Sequence, residues 1–121
     1  MVQLKRVYEK PSRKDGCRIL VDRLWPRGLT KERAAVQLWL KDVAPSAELR
    51  KWFGHDPAKW EQFQVRYRQE LGEKKDAVDL LKQKAKEHTT VTLVYGARDE
   101  ERNEAVVLKR ILEGYRMEDK L

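Results

Sequence analysis

The chain has 121 residues, enough for one hydrophobic core and too few for two. Charged residues make up 39% and hydrophobic residues 40%, yet the apolar positions recur periodically, which excludes disorder. The formal net charge is +7, and residues 1–33 hold ten basic and four acidic side chains, so +6 falls in the first quarter.

No apolar run approaches the length of a membrane span, and Met1 to Arg6 lacks the apolar core of a secretory signal. Cys17 is the single cysteine, which forbids an internal disulfide and fits a reducing compartment. These features predict a cytoplasmic protein of one domain, residues 1–121, with no membrane partner.

In chain order, Val2 to Tyr8 alternates apolar and polar residues, as a strand near a sheet edge does. Lys10 to Gly16 has turn composition. Cys17 to Asp22 carries the continuous run Ile19-Leu20-Val21, expected of a strand buried on both faces. After Arg23 to Gly28, Thr30 is placed to cap a short helix running to about Gln37. Leu38-Trp39-Leu40 is a further candidate buried strand.

Three helices follow. Ser46 caps the first, whose apolar residues Leu49, Trp52 and Phe53 share a face, and Gly54 stops it. Asp56-Pro57 opens the second, striped with Trp60, Phe63, Tyr67 and Leu71 and ended by Gly72. The third runs from about Lys74 to Glu87 with Val78, Leu81 and Ala85 on one side. Thr90 to Tyr95 is a β-branched strand. Asp99 is then expected to cap a last helix using Ala105, Leu108, Ile111, Leu112 and Tyr115.

This order predicts an α/β fold, a single compact domain with a mainly parallel sheet of about four strands and helices packed on it. Such sheets bind ligands beyond the carboxyl ends of their strands. Three strand ends then share one rim, bringing Arg23, Arg27, Lys41 and Arg98 beside Asp22, Asp42 and Asp99. Convergent arginine forks suit phosphate or carboxylate. Arg23, Arg27 and Arg98 are the candidate anion ligands, Asn103 a neutral hydrogen-bonding group, and Trp25 or Tyr95 an apolar wall. Asp22 and Asp99 are the candidate bases, because neighbouring arginines keep carboxylates ionised. Phosphate is expected toward the helix after Gly28, since Asp99, Glu100 and Glu101 already neutralise the start of the last helix.

The segments Arg18 to Gly28, Ala44 to Phe53, His55-Asp56-Pro57 and Val91 to Asp99 closely resemble the YeaO-like proteins, a group classed as a domain of unknown function. The resemblance covers nearly the whole chain and implies a small cytosolic α/β protein, with no established activity.

No metal-ligand spacing joins Cys17, His55 and His88, and no glycine-rich loop suits a dinucleotide, so no cofactor is named. Cys17 is expected to be a packed thiol, and His55 an exposed or capping residue. The expected function is binding of an anionic small molecule, a nucleotide or other phosphate ester, with hydrolysis or transfer as possible chemistry. Two alternatives stand beside it. One is nucleic-acid binding through the basic first quarter; the other is self-association through Trp52, Phe53 and Trp60.

Overall fold

A computed structural model describes residues 1–120, with side chains described for residues 1–114. Four strands, β1 (Val2–Arg6), β2 (Cys17–Leu20), β3 (Leu38–Trp39) and β4 (Val91–Tyr95), form one sheet in the order β1-β4-β2-β3. Every neighbouring pair is parallel. The register sets Val2 and Cys17 against Val91 on either side, so β1, β4 and β2 start level. Their carboxyl ends therefore come out along one rim.

The apolar runs behave as their composition requires. All residues of β2 and β4 are buried, because both strands lie inside the sheet and both sheet faces are covered. β1 is an edge strand, as its alternation predicted. β3 is shorter and less buried than expected: it has two half-buried residues and forms the other edge.

Two apolar clusters flank the sheet, sorted by the two-residue period of the strands. Ile19, Val21, Leu93 and Tyr95 face the larger one. It is completed by α2 (Ala47–Phe53), α3 (Trp60–Gly72), α4 (Lys75–Glu87) and α5 (Glu104–Lys120). Phe53 stacks on Phe63 with ring centroids 4.4 Å apart, and Tyr67 donates its O–H to the Val43 carbonyl, joining α2 and α3 to the loop after β3. Leu20 and Val94 face the smaller cluster, with Val7, Ala34, Trp25 and Trp39. Tyr115 lies outside the residues with described side chains.

The smaller face also holds charge. Arg18, 2% exposed, donates to Asp15 at 2.7 Å and through two nitrogens to the Ala34 carbonyl. Lys5 reaches the same carboxylate at 3.2 Å, and the Ser12 N–H donates to it at 2.9 Å. Burial alone would raise the Asp15 carboxyl, but the Ser12 N–H, Arg18 and Lys5 outweigh it and hold it below the ordinary aspartate range. Lys5 and Arg18 thus serve the fold's interior.

Helix ends follow the expected chemistry in most places. Ser46 accepts from the Leu49 N–H, Asp56 from the Ala58 N–H, and Gly54 closes α2 in the left-handed region. Two boundaries differ. The helix α1 begins after Thr30 as expected but spans only Lys31–Ala34, ended by Ala35 at φ 50°. Asp99 caps a turn, accepting from the Glu101 and Arg102 N–H groups, while α5 starts at Glu104, behind Asn103. Asn103 accepts from the Val106 N–H and anchors itself by donating to the Asp99 carbonyl.

Gly16 is the position where the backbone tolerates no side chain. Its φ is 61°, and a Cβ there would lie 2.2 Å from the Thr90 carbonyl oxygen. That carbonyl accepts the Cys17 N–H at the entry to β2. Gly16→Ala is predicted to lower stability by about 2–4 kcal/mol, from backbone strain plus steric overlap. Urea denaturation measures it, and a loss under about 0.5 kcal/mol, the level of a neutral surface change, contradicts the packing described.

Candidate functional site

Beyond the carboxyl ends of β2 and β4 lies a cavity of about 520 Å³. Its floor and walls come from the loop after β2, from α2 and the turn after it, from Phe63 on α3, from the loop after β4 and from the start of α5. This is where an open parallel sheet is expected to hold a ligand.

Asp22 is the fixed point of the floor. Its Oδ2 accepts the Gly96 N–H at 2.8 Å, tying the exit of β2 to the exit of β4. A Cβ on Gly96 would stand 3.0 Å from that same oxygen, so a residue without a side chain lets the carboxylate sit there. The other oxygen, Oδ1, is buried and has no hydrogen-bond partner among the described residues. Glu104, at the first turn of α5, is in hydrogen-bond contact with Asp22. Burial first, then that hydrogen bond and the Asp22 charge, push the Glu104 carboxyl well above its ordinary range. The unpartnered Asp22 Oδ1 and the raised Glu104 carboxyl thus stand together at the floor of the cavity.

Cations surround this floor. Arg23, Arg50, Lys51 and Arg102 line the cavity, with Arg50 close enough for its charge to act on Glu104. Arg23, Arg50 and Lys51 are exposed at the mouth, and Arg102 is loosely paired with Asp99 at 3.4 Å. Phe53, Phe63 and Leu24 supply the apolar wall. Leu24 is 64% exposed at the edge of the cavity. His55 also lines the cavity and adopts φ 56° directly after Gly54 at φ 53°.

Among the residues predicted from sequence, Asp22, Arg23 and Asn103 meet here. Asn103 is 2% exposed, and its amide oxygen and nitrogen are both engaged in capping, so it frames the site. The others lie elsewhere. Trp25 sits on the opposite sheet face, edge-on to Trp39 at 5.4 Å, with its N–H donating to the Leu29 carbonyl. Tyr95 is buried in the main core behind Asn103, and burial raises its phenol. Arg27 and Arg98 are exposed and do not line the cavity. Asp99 is held below its usual range, first by the Glu101 N–H, in its own turn. Lys41 and Asp42 line a shallower neighbouring groove. The helix α1 has four residues, too few for the dipole that was to hold a phosphate there. Cys17 is buried, which pushes its thiol up, as an inert packed cysteine requires.

Arg50, Lys51, His55, Arg102 and Glu104 complete the site without having been picked out from sequence. Arg50 and Lys51 lie within α2, His55 in the turn after it, and Arg102 and Glu104 at the entry to α5, and the packing of α2 and α5 against the sheet brings them over the rim.

A family model described as "Inactive DUF488-N3 subclade" matches residues 1–120. The chain belongs to this subclade. It is 42% identical over 113 residues to the uncharacterized protein Rv3073c of Mycobacterium tuberculosis (strain ATCC 25618 / H37Rv), covering 93% of this chain and 94% of that one. It is 41% identical over 107 residues to the uncharacterized protein YeaO of Escherichia coli (strain K12), covering 88% and 92%. The resemblance to the YeaO-like proteins is thus borne out over nearly the whole chain. No solved structure matches it significantly.

The state of Glu104 has a thermodynamic signature. Its folded value is raised, so its contribution to stability is fully present below the ordinary glutamate value of about 4.3 and is lost as pH rises through the folded value. Glu104→Gln keeps a donor for Asp22 and removes the titration. Its stability is predicted to decline less than that of the wild type as pH rises from the ordinary glutamate range. Parallel stability–pH curves from chemical denaturation at several pH values contradict a protonated Glu104.

Proposed function

We propose that this subclade member is a binding protein for an anionic small ligand of the phosphate-ester class, seated in the strand-end cavity. The observation that carries this reading is the gathering of four cationic side chains, Arg23, Arg50, Lys51 and Arg102, around one cavity whose carboxyl groups are Asp22 and Glu104. That excess of cations favours an anion, and the Phe53, Phe63 and Leu24 wall favours one with an apolar or ring-bearing body. The description of the subclade as inactive supports binding without turnover. Asp22 and Glu104 act here as orienting groups; the cavity's lining residues include no serine, threonine or cysteine.

Nucleic-acid binding is less well supported. Of the basic groups in the first quarter, Lys5 and Arg18 are committed to Asp15, and Arg6 donates to the Ala97 and Gly96 carbonyls. Self-association is likewise less supported, since Phe53 is in the core and Trp52 and Trp60 pack against it. No helix among the described residues is long and apolar enough to cross a membrane.

Isothermal titration calorimetry with nucleoside monophosphates and sugar phosphates tests the reading. Arg50→Ala is predicted to weaken the best of these ligands about tenfold, some ~1.4 kcal/mol. Arg27→Ala, outside the cavity, is predicted to leave affinity unchanged. The reverse pattern places the anion on the α1 side of the sheet instead.

A further inference from the structure

We infer that the cavity takes a dianion together with one proton, held between Glu104 and Asp22, so that ligand affinity is gated by that proton; this rests on the binding reading above. The geometry points to it. Asp22 Oδ1 is buried and unpartnered, Oδ2 is committed to the Gly96 N–H, and the Glu104 carboxyl stands beside Asp22 at the cavity floor. Two carboxyl groups in hydrogen-bond contact do not both ionise without strong repulsion.

The groups facing Glu104 come from every element around it. Asp22 and Arg23 follow β2, Arg50 and Lys51 lie on α2, and His55 follows that helix. Tyr67 faces it from α3, with its phenol pushed well up, first by burial. Arg102 precedes α5. With the proton in place, the ligand meets four cations and one carboxylate. Without it, the Asp22–Glu104 contact becomes repulsive, and the second carboxylate opposes the ligand directly. A dianion is affected most, because each of its charges feels the added one. The ligand class is therefore a phosphate monoester or another compact dianion, and binding favours retention of the proton at Glu104 by reciprocal linkage.

Inorganic sulfate serves as the probe, since it remains a dianion across the neutral range, and its dissociation constant is followed from the Gly96 and Asn103 amide shifts as pH is raised. In the wild type, affinity is predicted to fall toward tenfold per pH unit once Glu104 begins to titrate. The same fall is expected in His55→Asn, which removes the histidine at the mouth while keeping a residue tolerant of the left-handed region. The fall is predicted to vanish in Glu104→Gln. In Asp22→Asn, which lacks the charge that raises Glu104, it is predicted to begin at lower pH. Binding with no pH dependence in the wild type, or an unchanged fall in Glu104→Gln, overturns the proton gate while leaving the anion pocket standing. Sulfate that perturbs no cavity amide at any pH overturns the pocket reading itself.

Discussion

The hydrogen bond from the Gly96 N–H to Asp22 is the contact on which the site depends. It joins the ends of the two central strands, which diverge at once into unrelated loops. Because β2 and β4 are buried on both faces, their backbones are held by the sheet and cannot drift apart at that end. The carboxylate is therefore placed by the two central, fully buried strands. Its second oxygen is then left facing the start of α5, where Glu104 completes the pair. Everything else in the cavity is arranged around this fixed acid.

The two faces of the sheet solve different problems. The larger face is closed by four helices through a run of stacked rings, Phe53 on Phe63 and Phe63 beside Tyr67. That packing fixes α2, and with it Arg50 and Lys51, over the strand ends. The smaller face has only α1 and loops to cover it. There the chain uses Arg18 against Asp15, with Lys5 and the Ala34 carbonyl satisfying the remaining donors and acceptors. A buried pair of this kind adds little net stability over apolar packing, but removing one partner leaves an uncompensated charge. Its presence explains why the basic first quarter contributes less to the outer surface than its composition suggested.

Much of the fold was legible because local signals and tertiary burial agreed. The Ile19-Leu20-Val21 run, the Thr90 to Tyr95 β-branched run and the caps at Ser46, Asp56 and Thr30 each marked their element in the local sequence. The site was legible only in part. The strand-end rule led to Asp22 and Arg23, since both follow β2 directly. It failed for Trp25 and Arg27 because the chain turns across to the other sheet face after Leu24, which no local pattern announces. It failed for Asp99 because an aspartate that accepts two backbone N–H groups in a turn looks the same in sequence as one that caps a helix. Glu104 was hidden for the opposite reason. A glutamate in a first helical turn is ordinary, and only its contact with Asp22 makes it informative.

The most direct test is a crystal structure of the protein with a bound phosphate monoester. The account predicts its phosphate in the cavity between Arg23 and Arg50, above an Asp22–Glu104 contact that remains intact. A phosphate seated instead against Arg27, Lys31 or Arg33, with the cavity left to solvent, would contradict it.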